Sequence, residues 1–151
     1  MTTSSSGGDF LAKKSDVTRR GKSLPAITNI LIVEDETFDA DRLRATLRLA
    51  LGYEVTMRRA QTLGSAVDMV LAHVPDLVFL DDILKPSDTA VNSIPYIRRA
   101  KYDGPLIVIS GQATRSREAE LIGIGATEVI HKDDVDSVRL KEALLRVYGV
   151  V

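Results

Sequence analysis

The chain has 151 residues, 44% hydrophobic and 27% charged, which is enough for one domain with a real core. Its formal net charge of −1 gives no reason to expect nucleic acid or an acidic membrane as the main partner. Lacking cysteine, it has no disulfides, thiolate metal sites or cysteine nucleophiles; with no long apolar run and no signal-peptide core, it is expected to be cytoplasmic.

Residues 1–27 read as a flexible tail, opening on a Ser/Thr/Gly run and continuing with Lys13, Lys14, Arg19, Arg20 and Lys22. A docking segment is the sharper alternative, because Phe10, Leu11 and Val17 could fold against a partner. The domain is expected over residues 28–151. Ile30 to Val33 is an apolar run too short for a helix and closed by acid, which predicts a buried strand. Ala40, Leu43, Leu47 and Leu51 recur at steps of three and four, predicting an amphipathic helix over 37–51 that ends at Gly52. Residues 53–57 are expected as a second strand. A second helix is expected over 62–73, with Leu63, Ala66, Val67, Val70 and Leu71 inward. Leu77 to Leu80 is again apolar and runs into Asp81-Asp82. A third helix is expected from about Ile94, with Pro95 in its first turn. Residues 106–109 form the next strand, 115–124 a helix closed by Gly125, Val129-Ile130 a fifth strand, and 137–148 a final helix. Strands alternate with helices five times and three strands are apolar throughout, which predicts an α/β fold with a five-stranded, doubly wound parallel sheet flanked by helices.

Ligands of such sheets sit beyond the carboxyl ends of the strands. Those positions hold Glu34 and Asp35, Asp81 and Asp82, Ser110, and Lys132. Convergent carboxylates repel, and a hard divalent cation relieves this; oxygen ligands without His or Cys suit Mg²⁺ or Mn²⁺. A carboxylate can also act as a nucleophile and form an acyl phosphate, with Mg²⁺, Lys132 and the Ser110 hydroxyl neutralising the phosphoryl oxygens. Taken singly, each residue has a plainer reading: acids after a strand are often helix caps, Ser110 before Gly111 is a turn residue, and Lys132 is one of twenty cations. His73 and His131 lack metal-ligand spacing and read as structural or exposed.

Over residues 29–149, about four-fifths of the chain, the sequence resembles the receiver domain of two-component response regulators, a flavodoxin-like fold. The resemblance rests on ILIVEDE at 30–36, PDLVFLD at 75–81, VISG at 108–111 and GATEVIHK at 125–132, in order and at the family's separations. It implies a CheY-like, stand-alone switch that takes a phosphoryl group on Asp81 from a sensor histidine kinase or phosphotransfer protein, with Ser110 and Lys132 assisting. It also implies a metal site of Glu34, Asp35, Asp81 and the Ile83 backbone carbonyl. Because the chain ends at Val151 after the last helix, output is expected through a downstream protein partner or as a phosphate sink, with a homodimer possible. The fourth helix, fifth strand and fifth helix are the first candidate contact surface.

Four features depart from the family. Lys85 stands where its proline is expected, four residues after Asp81, and the loop from Lys85 to Ser93 is about three residues longer than the family's common form and lacks its glycine. Asp133, not the usual cis-bonded proline, follows Lys132, and Val129 replaces the aromatic residue of the switch. Pro86 lies four residues after Asp82, which favours Asp82 as acceptor. The spacing from Asp76 and the apolar pair Ile83-Leu84 favour Asp81, with Asp82 pointing away from the ion or supporting it from outside. The alternatives are a pseudo-receiver that only binds protein, and a cofactor enzyme on the same sheet. The second lacks a Gly-rich phosphate loop after the first strand.

Overall fold

The computed structural model describes residues 24–150. The expected tail falls mostly on residues 1–23, which lie outside the described residues. Ile27, the last residue of that tail, is buried and donates its N–H to the Tyr53 hydroxyl at 3.1 Å. The described residues divide into two units, 27–143 and a second made of 24–26 and 144–150.

Unit 27–143 holds five parallel strands: β1 (Asn29–Val33), β2 (Thr56–Ala60), β3 (Leu77–Asp81), β6 (Leu106–Ser110) and β7 (Glu128–His131). They lie in the order β2-β1-β3-β6-β7, with parallel pairing throughout. Between them run α1 (Thr37–Leu51), α2 (Leu63–Ala72), α3 (Ala90–Arg99) and α4 (Arg115–Gly123). The last helix, α5 (Ser137–Val147), starts in this unit, and its final turn belongs to the second, where Tyr148 N–H bonds the Leu144 carbonyl. This is the expected doubly wound α/β sheet. The chain leaves β1 toward β2 and returns to β3 on β1's other side, so the crevice opens at the ends of β1 and β3.

Side chains alternate across each strand. Leu31, Val33, Val78, Leu80, Leu106, Val108 and Val129 share one core cluster with Ala66 and Val70 of α2, Ile94 and Ile97 of α3, and Leu121 of α4. Ile32, Phe79 and Ile109 face the other way and line a small cavity with Leu43 of α1. Both faces are covered, which is why the three middle strands are apolar at nearly every position.

Four local expectations are corrected. The second strand runs over Thr56–Ala60, not 53–57. Gly52 takes a left-handed conformation (φ 78°) to close α1 on the Arg48 carbonyl, and the next residues only turn the chain back toward β1. Leu71 is 65% exposed rather than inward, because α2 meets the core through Ala66 and Val70, a stripe that leaves Leu71 on its flank. Helix α3 begins at Ala90, one turn before Ile94, and Pro95 sits inside it, costing one hydrogen bond. What starts α3 early is Asp82: its carbonyl accepts the Ala90 N–H at 2.7 Å and its carboxylate lies 3.3 Å from the same N–H. The expected long loop after Lys85 is a small antiparallel hairpin, β4 (Ile83–Leu84) with β5 (Asp88–Thr89), turning through a cis Lys85–Pro86 bond.

Candidate metal and phosphoryl-acceptor site

The site is built on the ends of β1 and β3. Val33 pairs with Leu80, so the residues that follow, Glu34 and Asp81, emerge side by side. Carboxylate oxygens of Glu34, Asp35 and Asp81 all lie within 4.8 Å of one another. Glu34 and Asp81 are buried, 7% and 5% exposed, which is costly for two like charges. Burial, together with the charge of Asp81 and a side-chain bond to it, pushes the Glu34 carboxyl up to about 8, although the Glu36 N–H at 3.1 Å pulls the other way. Burial raises Asp81 too, opposed by the Glu34 bond and by Lys132. Burial and the neighbouring negative charges thus favour protonation of this pair of carboxyls.

Lys132 follows β7 and stands 3.6 Å from Asp81 Oδ1 and 3.9 Å from Asp39 Oδ2 on α1. Burial lowers its pKa, but the charges of Asp81, Glu34 and Asp39 outweigh this and hold the ammonium above its usual range. Ile83 opens the hairpin beside the acids, its N–H 3.4 Å from Asp81 Oδ1. The donor set fits a hard divalent cation: three close carboxylates, no His or Cys, and a proton that an ion would displace.

Ser110 is placed differently. It is fully buried, and its hydroxyl donates to Asp82 Oδ2 at 2.6 Å while accepting the Gln112 N–H at 3.0 Å. Asp82 is gripped by Arg117 of α4, whose guanidinium donates through Nε to Oδ2 at 3.1 Å and through its second nitrogen to Oδ1 at 2.6 Å. Burial raises the Asp82 carboxyl, but the Arg117 and Ser110 bonds and the Ala90 N–H outweigh it, so its pKa lies below the usual range. Alternation explains the division. Asp81 continues the Phe79 face toward α1, whereas Asp82 and Ser110 continue the Leu80 and Val108 face toward α3 and α4.

Sequence reasoning missed three supporting residues. Arg59 of β2 donates to the Glu34 and Asp35 carbonyls, both at 2.9 Å, and to Thr37 Oγ1 at 3.1 Å, fixing the acidic turn. Asp39 holds Lys132, and Arg117 holds Asp82. None had a sequence signal, since each is an ordinary charge on a strand or helix. His131 is half-buried, and its Nδ1 accepts the Asp133 N–H at 3.0 Å, a structural role.

The five-stranded parallel sheet and the acids at its switch point define a doubly wound α/β domain with a carboxylate cluster at its crevice. The sequence matches the family described as Response regulator receiver domain over residues 30–145, and the chain belongs to that family. No curated protein matches the chain. Among solved structures, NtrX from Brucella abortus is 25% identical with a TM-score of 0.70, over 82% of this chain and 27% of that one. A two-component response regulator of the LuxR family from Aurantimonas is 19% identical (TM-score 0.70; 82% and 86% covered). A CheY-like response regulator receiver domain protein from Methanospirillum hungatei is also 19% identical (TM-score 0.68; 82% and 95% covered). The protein is therefore a receiver domain of two-component signalling. Among the described residues, no helix is long and apolar enough to cross a membrane.

Proposed function

We propose that this receiver domain accepts a phosphoryl group on Asp81 from the phosphohistidine of a sensor histidine kinase or phosphotransfer protein. A carboxylate oxygen of Asp81 attacks phosphorus, the P–N bond breaks, and the imidazole keeps the bonding pair and takes up a proton. Glu34, Asp35, Asp81 and the Ile83 carbonyl would hold Mg²⁺ or Mn²⁺, which when bound offsets the charge of the carboxylates and of the phosphoryl oxygens. Lys132 stands where it can meet one of those oxygens, held by Asp39 until then. Ser110 is the second donor, once its hydroxyl leaves Asp82. The observation that carries this reading is the Lys132–Asp81 approach of 3.6 Å beside the three-carboxylate cluster. Output passes to a protein partner, or the domain drains phosphoryl groups from a relay.

One observation favours a second reading, a receiver that only binds protein: the Ser110 hydroxyl is committed to Asp82. Intact-mass analysis after acetyl phosphate, with and without Mg²⁺, separates the two. A Mg²⁺-dependent gain of one phosphoryl group supports the acceptor; no gain supports the binding module.

A further inference from the structure

The aromatic residue through which receiver domains couple their hydroxyl to the surface is absent here, since Val129 occupies its position and is buried in the core. Another connection is present. Asp82 receives hydrogen bonds from three separate elements: the Ser110 hydroxyl at the end of β6, the Arg117 guanidinium on α4, and the Ala90 N–H that opens α3. It is 3% exposed, so none of these bonds is readily replaced by water.

We propose that Asp82 and Arg117 are positioning residues that hold the Ser110 hydroxyl away from Asp81 and release it, together with the start of α4, when Asp81 carries a phosphoryl group. This deepens the acceptor reading and rests on it. Ser110 has one hydroxyl proton, and it can be donated either to Asp82 or to a phosphoryl oxygen. Turning toward Asp81 also breaks the bond that Ser110 accepts from the Gln112 N–H, in the loop that leads to α4. That loop ends at Thr114, whose Oγ1 caps α4 by accepting the Arg117 N–H at 3.2 Å. Movement of Ser110 is thereby passed to the helix that carries Arg117. Arg117 has a second task. It neutralises Asp82, so the carboxylate is not left as a lone buried charge when the hydroxyl departs. Without Arg117, Asp82 would keep the hydroxyl as its remaining side-chain donor.

The test measures two things in the whole chain, using acetyl phosphate and Mg²⁺: the rate of phosphoryl uptake, and amide hydrogen exchange across residues 115–121. In the wild type, uptake should speed exchange over the first turns of α4, the signature of local release. Arg117→Met should show fast exchange before phosphorylation, and its uptake should slow about tenfold, the lower end for loss of a supporting contact. Arg117→Lys, which keeps the charge, should recover part of the rate. A merely structural Arg117 would loosen α4 and leave the uptake rate alone, so wild-type uptake in Arg117→Met overturns the proposal. So does wild-type phosphorylation with α4 exchange unchanged, a measurement that does not depend on any variant folding. Absence of wild-type uptake removes the acceptor reading itself, and this proposal with it.

Discussion

Lys132 Nζ lies 3.6 Å from Asp81 Oδ1 and 3.9 Å from Asp39 Oδ2, so the ammonium is held between α1 and the end of β3. Asp82, one residue on, has no share in this cation and is neutralised by Arg117 instead. Adjacent aspartates thus have separate cationic partners on opposite faces of the sheet.

The first prediction follows from that separation. Asp81→Asn should abolish phosphoryl uptake from acetyl phosphate in the presence of Mg²⁺, while Asp82→Asn should reduce it without abolishing it. Peptide mapping checks the site directly. A phosphoryl group found on Asp82, or uptake intact in Asp81→Asn, would sink the assignment.

Stability of the ion-free protein should depend on pH through Glu34. Its carboxyl is raised in the fold from 4.5 to about 8, so the folded state holds a proton that the unfolded chain gives up. That contribution is full below pH 4.5 and is lost as pH rises toward about 8. Thermal unfolding followed across this window should show Tm falling, less steeply in Glu34→Gln. Mg²⁺ should raise Tm most at the alkaline end, because the ligands must be deprotonated to bind it. A Glu34→Gln slope equal to that of the wild type would rule out this origin.

Arg59 grips the backbone of the acidic turn without touching the carboxylates. Arg59→Met should therefore weaken Mg²⁺ about tenfold, the lower end for a supporting residue of a metal site. Titration of the ion against intrinsic or added fluorescence gives the affinity. If affinity is unchanged, the turn holds its shape without Arg59.

At the opposite end of the strands, Arg98 closes the fold. Its guanidinium donates to the carbonyls of Tyr102, Gly104 and Gly125 at 2.6–3.1 Å. Gly125 is itself a constrained point, with φ 127° and Ile94 only 3.0 Å from where a Cβ would sit. Arg98→Met removes charge-assisted bonds from several carbonyls at once and should cost about 2–3 kcal/mol in urea unfolding. Uptake at Asp81 should persist, since the variant lies far along the sheet from the acids. A cost under about 1 kcal/mol would mean that water replaces the guanidinium there.

Short apolar runs that end in acid, at Val33 and at Leu80, were enough by themselves to place β1, β3 and the carboxylates beyond them. A strand buried on both faces is apolar at every position, whatever surrounds it. The start of α1 at Thr37 and its end at Gly52 were legible for the same reason, being set by local periodicity and a local cap. Strand β2 was misplaced because its centre is Arg58-Arg59, and an edge strand can carry such charges. The early start of α3 depends on Asp82, eight residues back, and no local pattern announces a partner at that distance. Most of all, the direction of Ser110 was decided by tertiary structure. VISG places a hydroxyl at the end of β6, but only the pairing of Asp81 with Ile109 and of Ser110 with His131 puts that hydroxyl on the face of Asp82. Which donor meets which carboxylate depends on strand register and on the face each side chain takes, and those exist only once the sheet has formed.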